Sequence, residues 1–293
     1  MVMGIKRIII LIGTLLASAA MLSAVEKGDT LKLMTYNLRF GELASMEQIA
    51  GYISSQQPDI VALQECDWAT NRTRAPHQNG VKFVNELAYH TGMFGVYGKS
   101  INYAGGYYGI GLLSRYPILR YERVLLPNDG KTEQRSMLIA DIELPGRKVI
   151  TFVNTHLEVK TSQMRIEQVK YIEEYLKDCP NQIFLAGDMN AVPDTEEMQM
   201  LRQDWTDLTD RDYTYHTSKP EIKIDYIYAK PGEKVDLLET RVCGCDPIRP
   251  FSSDFNYSFT LIITFLKSNL YEKNSFRSCS CSIGCCIVQQ GRW

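Results

Sequence analysis

Apolar residues along this chain fall into short runs that end on a polar side chain, and these alternate with stretches whose apolar positions recur three and four residues apart. In the first run, Leu31 and Leu33 lead into Met34-Thr35-Tyr36 and end at Asn37, predicting a strand over 30–38. Met46, Ile49, Ala50 and Ile53 then keep helical spacing, predicting a helix over 46–54 that Pro58 stops. Residues 59–65 form a short apolar strand that delivers the Glu65 carboxylate at its end. A polar loop over 70–80 precedes an amphipathic helix over 81–90. Residues 98–111, rich in Gly and Tyr, read as a loop leading into a strand over 110–114 that Arg115-Tyr116-Pro117 closes.

Strands over 136–144 and 148–157 form a predicted hairpin around Pro145-Gly146. A helix follows over 161–176, with Met164, Val169, Ile172 and Leu176 on one side. The run Phe184-Leu185-Ala186-Gly187-Asp188-Met189-Asn190 then lifts a carboxylate and a carboxamide, two residues apart, to the end of a buried strand. Side chains two apart on a strand point the same way, so Asp188 and Asn190 are expected to face one ligand, although an Asp-x-Asn after a strand also serves as a turn or helix cap. A helix over 194–201 and strands over 222–228 and 235–242 complete the regular pattern, and the apolar, β-branched 260–266 suits a final strand. Strands and helices alternate without an internal repeat or Gly/Ser linker, which predicts one continuous α/β domain over 25–254.

Composition changes this picture only at the two ends. The formal net charge of −2 removes any global electrostatic case for a nucleic-acid binder. Lys6 and Arg7 precede Ile8-Ile9-Ile10-Leu11-Ile12, and small residues follow to Ala20. This predicts a signal peptide over 1–24, cleaved after Ala19, Ala20 or Ala24, and hence a secreted or periplasmic protein; the apolar core is short for a membrane span. Of the eight cysteines, Cys66, Cys179, Cys243 and Cys245 are scattered, whereas Cys279, Cys281, Cys285 and Cys286 crowd the last fifteen residues.

The polar ends of the runs carry the candidate chemistry: Asn37, Glu65, Asn154, His156, Asp188, Asn190, Asp225 and Asp254. Any one of them has an ordinary explanation as a cap, a turn or an ion pair. In a layered α/β fold, however, strand ends that share an edge gather into one cleft. Carboxylates as close as Glu65, Asp188, Asp225 and Asp254 would be there stay ionised only beside a cation. Oxygen ligands point to Mg²⁺, with Mn²⁺ as the other option, because no His/Cys spacing of the zinc type precedes residue 243.

Six stretches, in order, resemble the motifs of the endonuclease/exonuclease/phosphatase family, the deoxyribonuclease-I-like superfamily of metal-dependent phosphoesterases. They are Met34-Thr35-Tyr36-Asn37-Leu38-Arg39, Pro58-Asp59-Ile60-Val61-Ala62-Leu63-Gln64-Glu65, Gly109-Ile110-Gly111-Leu112-Leu113-Ser114-Arg115, Asn154-Thr155-His156-Leu157, Ala186-Gly187-Asp188-Met189-Asn190 and Ile224-Asp225-Tyr226-Ile227. The resemblance spans residues 31–254. It implies an α/β four-layer sandwich, two mixed β-sheets packed face to face with helices outside and the site at one edge. By the same resemblance Glu65 is the principal Mg²⁺ ligand, with Asn37 beside it and Asp254 near the metal. Asp188 positions or deprotonates the attacking water, Asn190 holds that water or a phosphate oxygen, His156 stabilises the phosphoryl oxygens, and Asp225 orients a second histidine.

That second histidine is missing. The family closes on Ser-Asp-His, whereas this chain reads Ser252-Ser253-Asp254-Phe255, and its four histidines are His77, His90, His156 and His216. Beyond Asp254 the composition turns Ser-, Phe- and Cys-rich, setting residues 255–293 apart as an atypical tail. A shifted reading frame, a natural metal-binding or disulfide-bonded tail, and a true variant are the three readings of it. The resemblance implies a phosphodiester or phosphomonoester hydrolase with impaired turnover, working as a monomer without an obligate protein partner. The alternative is a non-catalytic protein that binds a phosphate ligand or a partner in the same cleft, or a degraded gene product without function. Nucleic acid, a phospholipid headgroup and a sugar phosphate all remain as substrate classes. Tyr103, Tyr107, Tyr108 and Arg72 are candidates for stacking on a nucleic acid, or simply for packed surface.

Overall fold

The computed structural model describes residues 30–209, 213–215, 221–232, 235–243 and 260–267. The predicted signal segment, Asp254, Phe255 and the tail beyond 267 lie outside the described residues. Among those described, the strands are β1 (Thr30–Asn37), β2 (Ile60–Trp68), β3 (Phe94–Tyr103), β4 (Gly106–Ser114), β5 (Ile118–Leu125), β6 (Ser136–Leu144), β7 (Lys148–His156), β8 (Gln182–Asp188), β9 (Thr206–Asp207), β10 (Asp225–Ala229), β11 (Val235–Cys243) and β12 (Thr260–Lys267). The helices are α1 (Met46–Gln56), α2 (Phe83–Thr91), α3 (Ser162–Leu176) and α4 (Glu196–Asp204).

The period-two pattern of the strands builds the layers. Leu31 and Leu33 of β1 point inward with Ile60 and Ala62 of β2, and they meet Leu138, Ala140, Phe152, Phe184 and Ile227 from the other sheet. Their neighbours Met34, Tyr36, Val61 and Leu63 point outward onto α1 and α2. On the opposite side Met137, Ile139, Val153, Ile183, Leu185 and Tyr226 pack against α3 and α4. Three apolar layers thus separate four structural ones: helices, sheet, sheet, helices. The expected sandwich is the observed one.

Strand order is β11-β12-β1-β2-β4-β3 in one sheet and β5-β6-β7-β8-β10-β9 in the other. Within each, one neighbouring pair is parallel, β1 with β2 and β7 with β8, joined through α1 and α3 respectively. Both helices start on a side-chain cap, Ser45 in a reciprocal capping box with Gln48 and Thr161 accepting from the Met164 amide. The carboxyl ends of the two parallel pairs lie at the same edge of the sandwich, as the cross-sheet contact between Asn37 and Asp188 described below shows. β12 lies between β1 and β11, so the first sheet extends past residue 254.

Three expectations need correction, and one strand goes unpredicted. Residues 98–111 are not a loop but parts of β3 and β4, joined through Ala104 (φ 45°) and Gly105 (φ 82°). Two consecutive positive φ values are the hairpin turn that matches strand twist, and Tyr-rich segments suit a half-exposed sheet. β5 carries no expectation from the pattern because it is an edge strand, exposed at Leu119–Glu122 and without clean alternation. Glu65 does not end its strand: β2 runs on to Trp68, and Glu65 (φ 55°) is the extra residue of a bulge between Leu63 and Cys66. Finally, β8 ends at Asp188, so Asn190 (φ 48°) leaves from a turn rather than from the same strand face.

Candidate active site

A cleft of about 630 Å³ opens at the shared edge, with Asn37, Glu65, Arg135, His156, Asp188 and Asp225 in its wall. Asn37 closes β1 and spans the two sheets. Its Nδ2 donates to Glu65 Oε1 at 3.1 Å and to Asp188 Oδ2 at 3.0 Å, while its Oδ1 accepts from the Arg39 amide at 2.9 Å. Asp188 is held at its other oxygen too, where Oδ1 accepts from the Asn190 amide at 2.9 Å. Asn190 in turn donates its side chain to Leu157 O at 3.0 Å, and Leu157 N donates to Asp188 O. A single loop-to-loop lattice therefore fixes the Asp188 carboxylate.

His156 ends β7 directly beside Asp188 in the parallel register, with Nε2 at 3.7 Å from Asp188 Oδ2. Asp225 faces Asp188 from the antiparallel side. The Thr214 hydroxyl accepts from the Ile224 and Asp225 amides and secures that strand start. Backbone strain gathers at the same edge, since Arg39, Phe40, Glu65 and Asn190 all have φ between 44° and 55°. Gly187 allows β8 to approach β7, because a Cβ there would sit 2.0 Å from Thr155 O.

Three carboxyls share this buried space, and the structure raises the proton affinity of each. For Glu65 the cause is burial, opposed by the Asn37 hydrogen bond and reinforced by Asp188. For Asp188 burial again dominates, against hydrogen bonds from Asn190 and Asn37. Asp225 is pushed well above the ordinary carboxylate range by burial and by the Asp188 charge opposite. No basic side chain among the described residues forms an ion pair with Glu65 or Asp225. Such a set suits a hard divalent cation, which takes oxygen ligands and relieves their repulsion. Among the described residues no three His, Cys, Asp or Glu side chains are grouped as a metal cage. Glu65 fits the cation as placed; Asn37 offers its oxygen only after its amide rotates.

Asp225 gives a stability test. Its folded pKa is raised, so its burial costs nothing below the ordinary carboxylate range and costs stability as pH rises through the folded value. Asp225→Asn removes both the desolvation and the repulsion. The metal-free variant is expected to be more stable than wild type by about 1–3 kcal/mol at neutral pH. Urea unfolding should show that gap closing as pH falls toward about 4.

The remaining sequence candidates divide. Asn154 is structural: buried between the sheets, it accepts from Gln64 Nε2 at 2.8 Å and donates to Leu63 O and Gly111 O. Arg72 grips Asp67 through two 2.9 Å hydrogen bonds and lies 4.3 Å from the ring centroids of both Phe40 and Tyr103, so it is committed to packing the cleft wall. Tyr108 lines the cleft. Asp254 lies outside the described residues.

Of the cleft residues that the sequence candidates do not include, Arg135 sits nearest the chemistry. Arg135, buried at the start of β6, places Nη1 at 3.2 Å from His156 Nδ1 and at 3.0 Å from Glu133 Oε1. A single arginine in the polar stretch Thr132-Glu133-Gln134-Arg135 carries no spacing signal. Only the β6–β7 register brings it to the histidine.

The profile of the Endonuclease/Exonuclease/phosphatase family matches residues 34–254. Among curated proteins, the chain is 25% identical over 175 residues to exodeoxyribonuclease III of Haemophilus influenzae, covering 56% of this chain and 58% of that protein. It is 27% identical over 172 residues to the uncharacterized protein YbhP of Escherichia coli K12, covering 54% of this chain and 66% of that one. The matches thus span less than two thirds of these relatives. An endonuclease/exonuclease/phosphatase structure from Beutenbergia cavernae superposes with a TM-score of 0.67 at 19% identity, covering 82% of this chain and 72% of that one. A mannosyl-6-phosphatase from Bacteroides thetaiotaomicron (TM-score 0.62, 16% identity, 80% and 99% covered) and D. rerio TDP2 complexed with a single-strand DNA product (0.61, 17%, 80% and 98%) share the fold. With the profile running from β1 through the cleft residues Glu65, His156, Asp188 and Asp225, on a sandwich shared with these structures, the chain belongs to the endonuclease/exonuclease/phosphatase family.

Proposed function

We propose that the chain is an exported, Mg²⁺- or Mn²⁺-dependent phosphoesterase that hydrolyses its substrate by in-line attack of water. The supporting observation is convergence: Asn37 bridges Glu65 of one sheet to Asp188 of the other, with His156 on the far side of Asp188. Glu65, with Asn37 and Asp254 in their family roles, would hold the cation, which when bound would supply Lewis-acid charge to the phosphoryl group. Asp188, oriented through both oxygens and with raised proton affinity, takes the proton of the attacking water. Asn190 limits where that water sits. His156 and Arg135 present N–H donors to the phosphoryl oxygens, where negative charge builds in the transition state. Asp225 is the residue that orients the second histidine in the family pattern, and with Phe255 in that position turnover is reduced.

The neighbours named for mannosyl-6-phosphate and for single-strand DNA product support sugar phosphates and nucleic acid as the first substrates to assay. The expected result is turnover of bis(p-nitrophenyl) phosphate or p-nitrophenyl phosphate that requires Mg²⁺ and is abolished by chelator. Phe255→His should raise it by about 10², the lower end of what a positioned acid or base contributes. No metal-dependent turnover in either protein would sink the proposal. Retained Mg²⁺ and phosphate affinity without turnover, even in Phe255→His, favours the non-catalytic binding protein that the missing histidine otherwise suggests.

A further inference from the structure

We propose that Arg135 and Glu158 are positioning residues that lock His156 as the neutral imidazole with its proton on Nε2, so that it meets the substrate as a hydrogen-bond donor and not as a base. Arginine only donates, so the 3.2 Å contact from Arg135 Nη1 requires a lone pair on His156 Nδ1. A neutral ring with an acceptor Nδ1 carries its proton on Nε2, the nitrogen 3.7 Å from Asp188 Oδ2. A doubly protonated ring would set two donors against each other. Burial and the Arg135 charge act in the same direction, holding the His156 pKa well below its ordinary value.

Glu158 enters through charge. Its side chain is 1% exposed and that of Arg135 7%. Glu158 Oε2 and Arg135 Nε lie 4.0 Å apart, and each is buried without a hydrogen-bond partner. The carboxylate cannot swing to close that gap, because its other oxygen accepts from Lys160 N at 2.9 Å. Its backbone is held as well, with N donating to Gln168 Oε1 at 3.0 Å and O accepting from Arg165 Nη1 at 3.1 Å. Arg135 therefore stands between two carboxylates, Glu133 at 3.0 Å from Nη1 and Glu158 at 4.0 Å from Nε, and the Nη1 that meets Glu133 is the same nitrogen that meets His156. Removing the Glu158 charge leaves Glu133 as the one carboxylate of the two that holds the guanidinium, and so loosens the placement of the Nη1 that meets the ring.

Long-range ¹H–¹⁵N spectra of the metal-free protein test the tautomer directly, with the His156 signals identified by their loss in His156→Gln. Wild type is expected to show protonated Nε2 and bare Nδ1. Glu158→Gln keeps the volume and an acceptor for Lys160 N while removing the charge. It is expected to give a mixed tautomer and a kcat lower by about 10- to 100-fold, the usual range for a residue that orients another, with KM changed by less than about threefold. The kinetic half rests on the phosphoesterase reading, and the spectroscopic half does not. A wild-type ring protonated on Nδ1 overturns the proposal even in an active enzyme. An inactive enzyme with the Nε2–H ring counts against the phosphoesterase reading alone. Unchanged spectra and kcat in Glu158→Gln remove Glu158 from the device. Should that variant not fold, Arg135→Met is read the same way: a mixed tautomer supports the lock, and an unchanged Nε2–H ring overturns it.

Discussion

Asp188→Asn is expected to lower Mg²⁺-dependent turnover by about 10³-fold while leaving the protein folded, the midrange loss for a positioned general base. The fold should survive because Asn is isosteric, and its oxygen can still accept from Asn37 Nδ2 or from the Asn190 amide. It should even gain stability. Asp188 is the shared neighbour of the Glu65 and Asp225 carboxyls and raises the proton affinity of both, so neutralising it relieves two repulsions at once. The metal-free melting temperature should therefore rise as activity falls, by about 2–4 °C for each kcal/mol gained in a domain of this size. Steady-state kinetics in the present chain and in Phe255→His, with thermal melts of the same samples, check both halves. A variant that loses activity and stability together would mean that Asp188 is a structural residue.

Glu65→Gln should act on the cation instead. Glu65 is the one carboxylate of the cleft set on a strand bulge with positive φ, a conformation that aims it into the cleft rather than onto either sheet face. Gln keeps the acceptor for Asn37 Nδ2 and loses the charge that a hard cation needs. The Mg²⁺ concentration for half-maximal turnover should rise by more than about 10²-fold, since even residues that only orient a metal ligand cost 10- to 100-fold. Calorimetric titration of Mg²⁺ measures the same loss without turnover. An unchanged midpoint would take Glu65 out of the metal site, whatever happened to the rate.

These two residues also show how far a sequence reading reaches. Asp188 closes a run of buried apolar residues, and the strand, its end and the carboxylate could all be read locally. The Glu65 carboxylate is legible in the sequence but its geometry is not, because a bulge interrupts alternation by one residue and leaves no trace in composition. Asn154, in the same motif as His156, belongs to the inter-sheet packing, and nothing local distinguishes a strand-end amide that faces the opposite sheet from one that faces a ligand. Arg135 was invisible for the opposite reason. It comes from a stretch without periodicity, and its partners His156 and Glu158 are 21 and 23 residues away across the β6–β7 hairpin.

By itself the sequence determined the alternation of strands and helices in one α/β domain, through period-two and helical spacing, and its resemblance to a known family implied the four layers. It also determined the set of oxygen-bearing residues available for chemistry, through six ordered motifs, and the lack of a histidine after Asp254. Tertiary structure alone decided which of those residues meet. Asn37 and Asp188 are 151 residues apart and 3.0 Å apart, a contact set by the packing angle and register of two sheets rather than by any local preference. Burial then decided their electrostatics, since the same carboxyls and imidazole in water would have ordinary proton affinities, and only exclusion from solvent beside one another raises three and lowers the fourth.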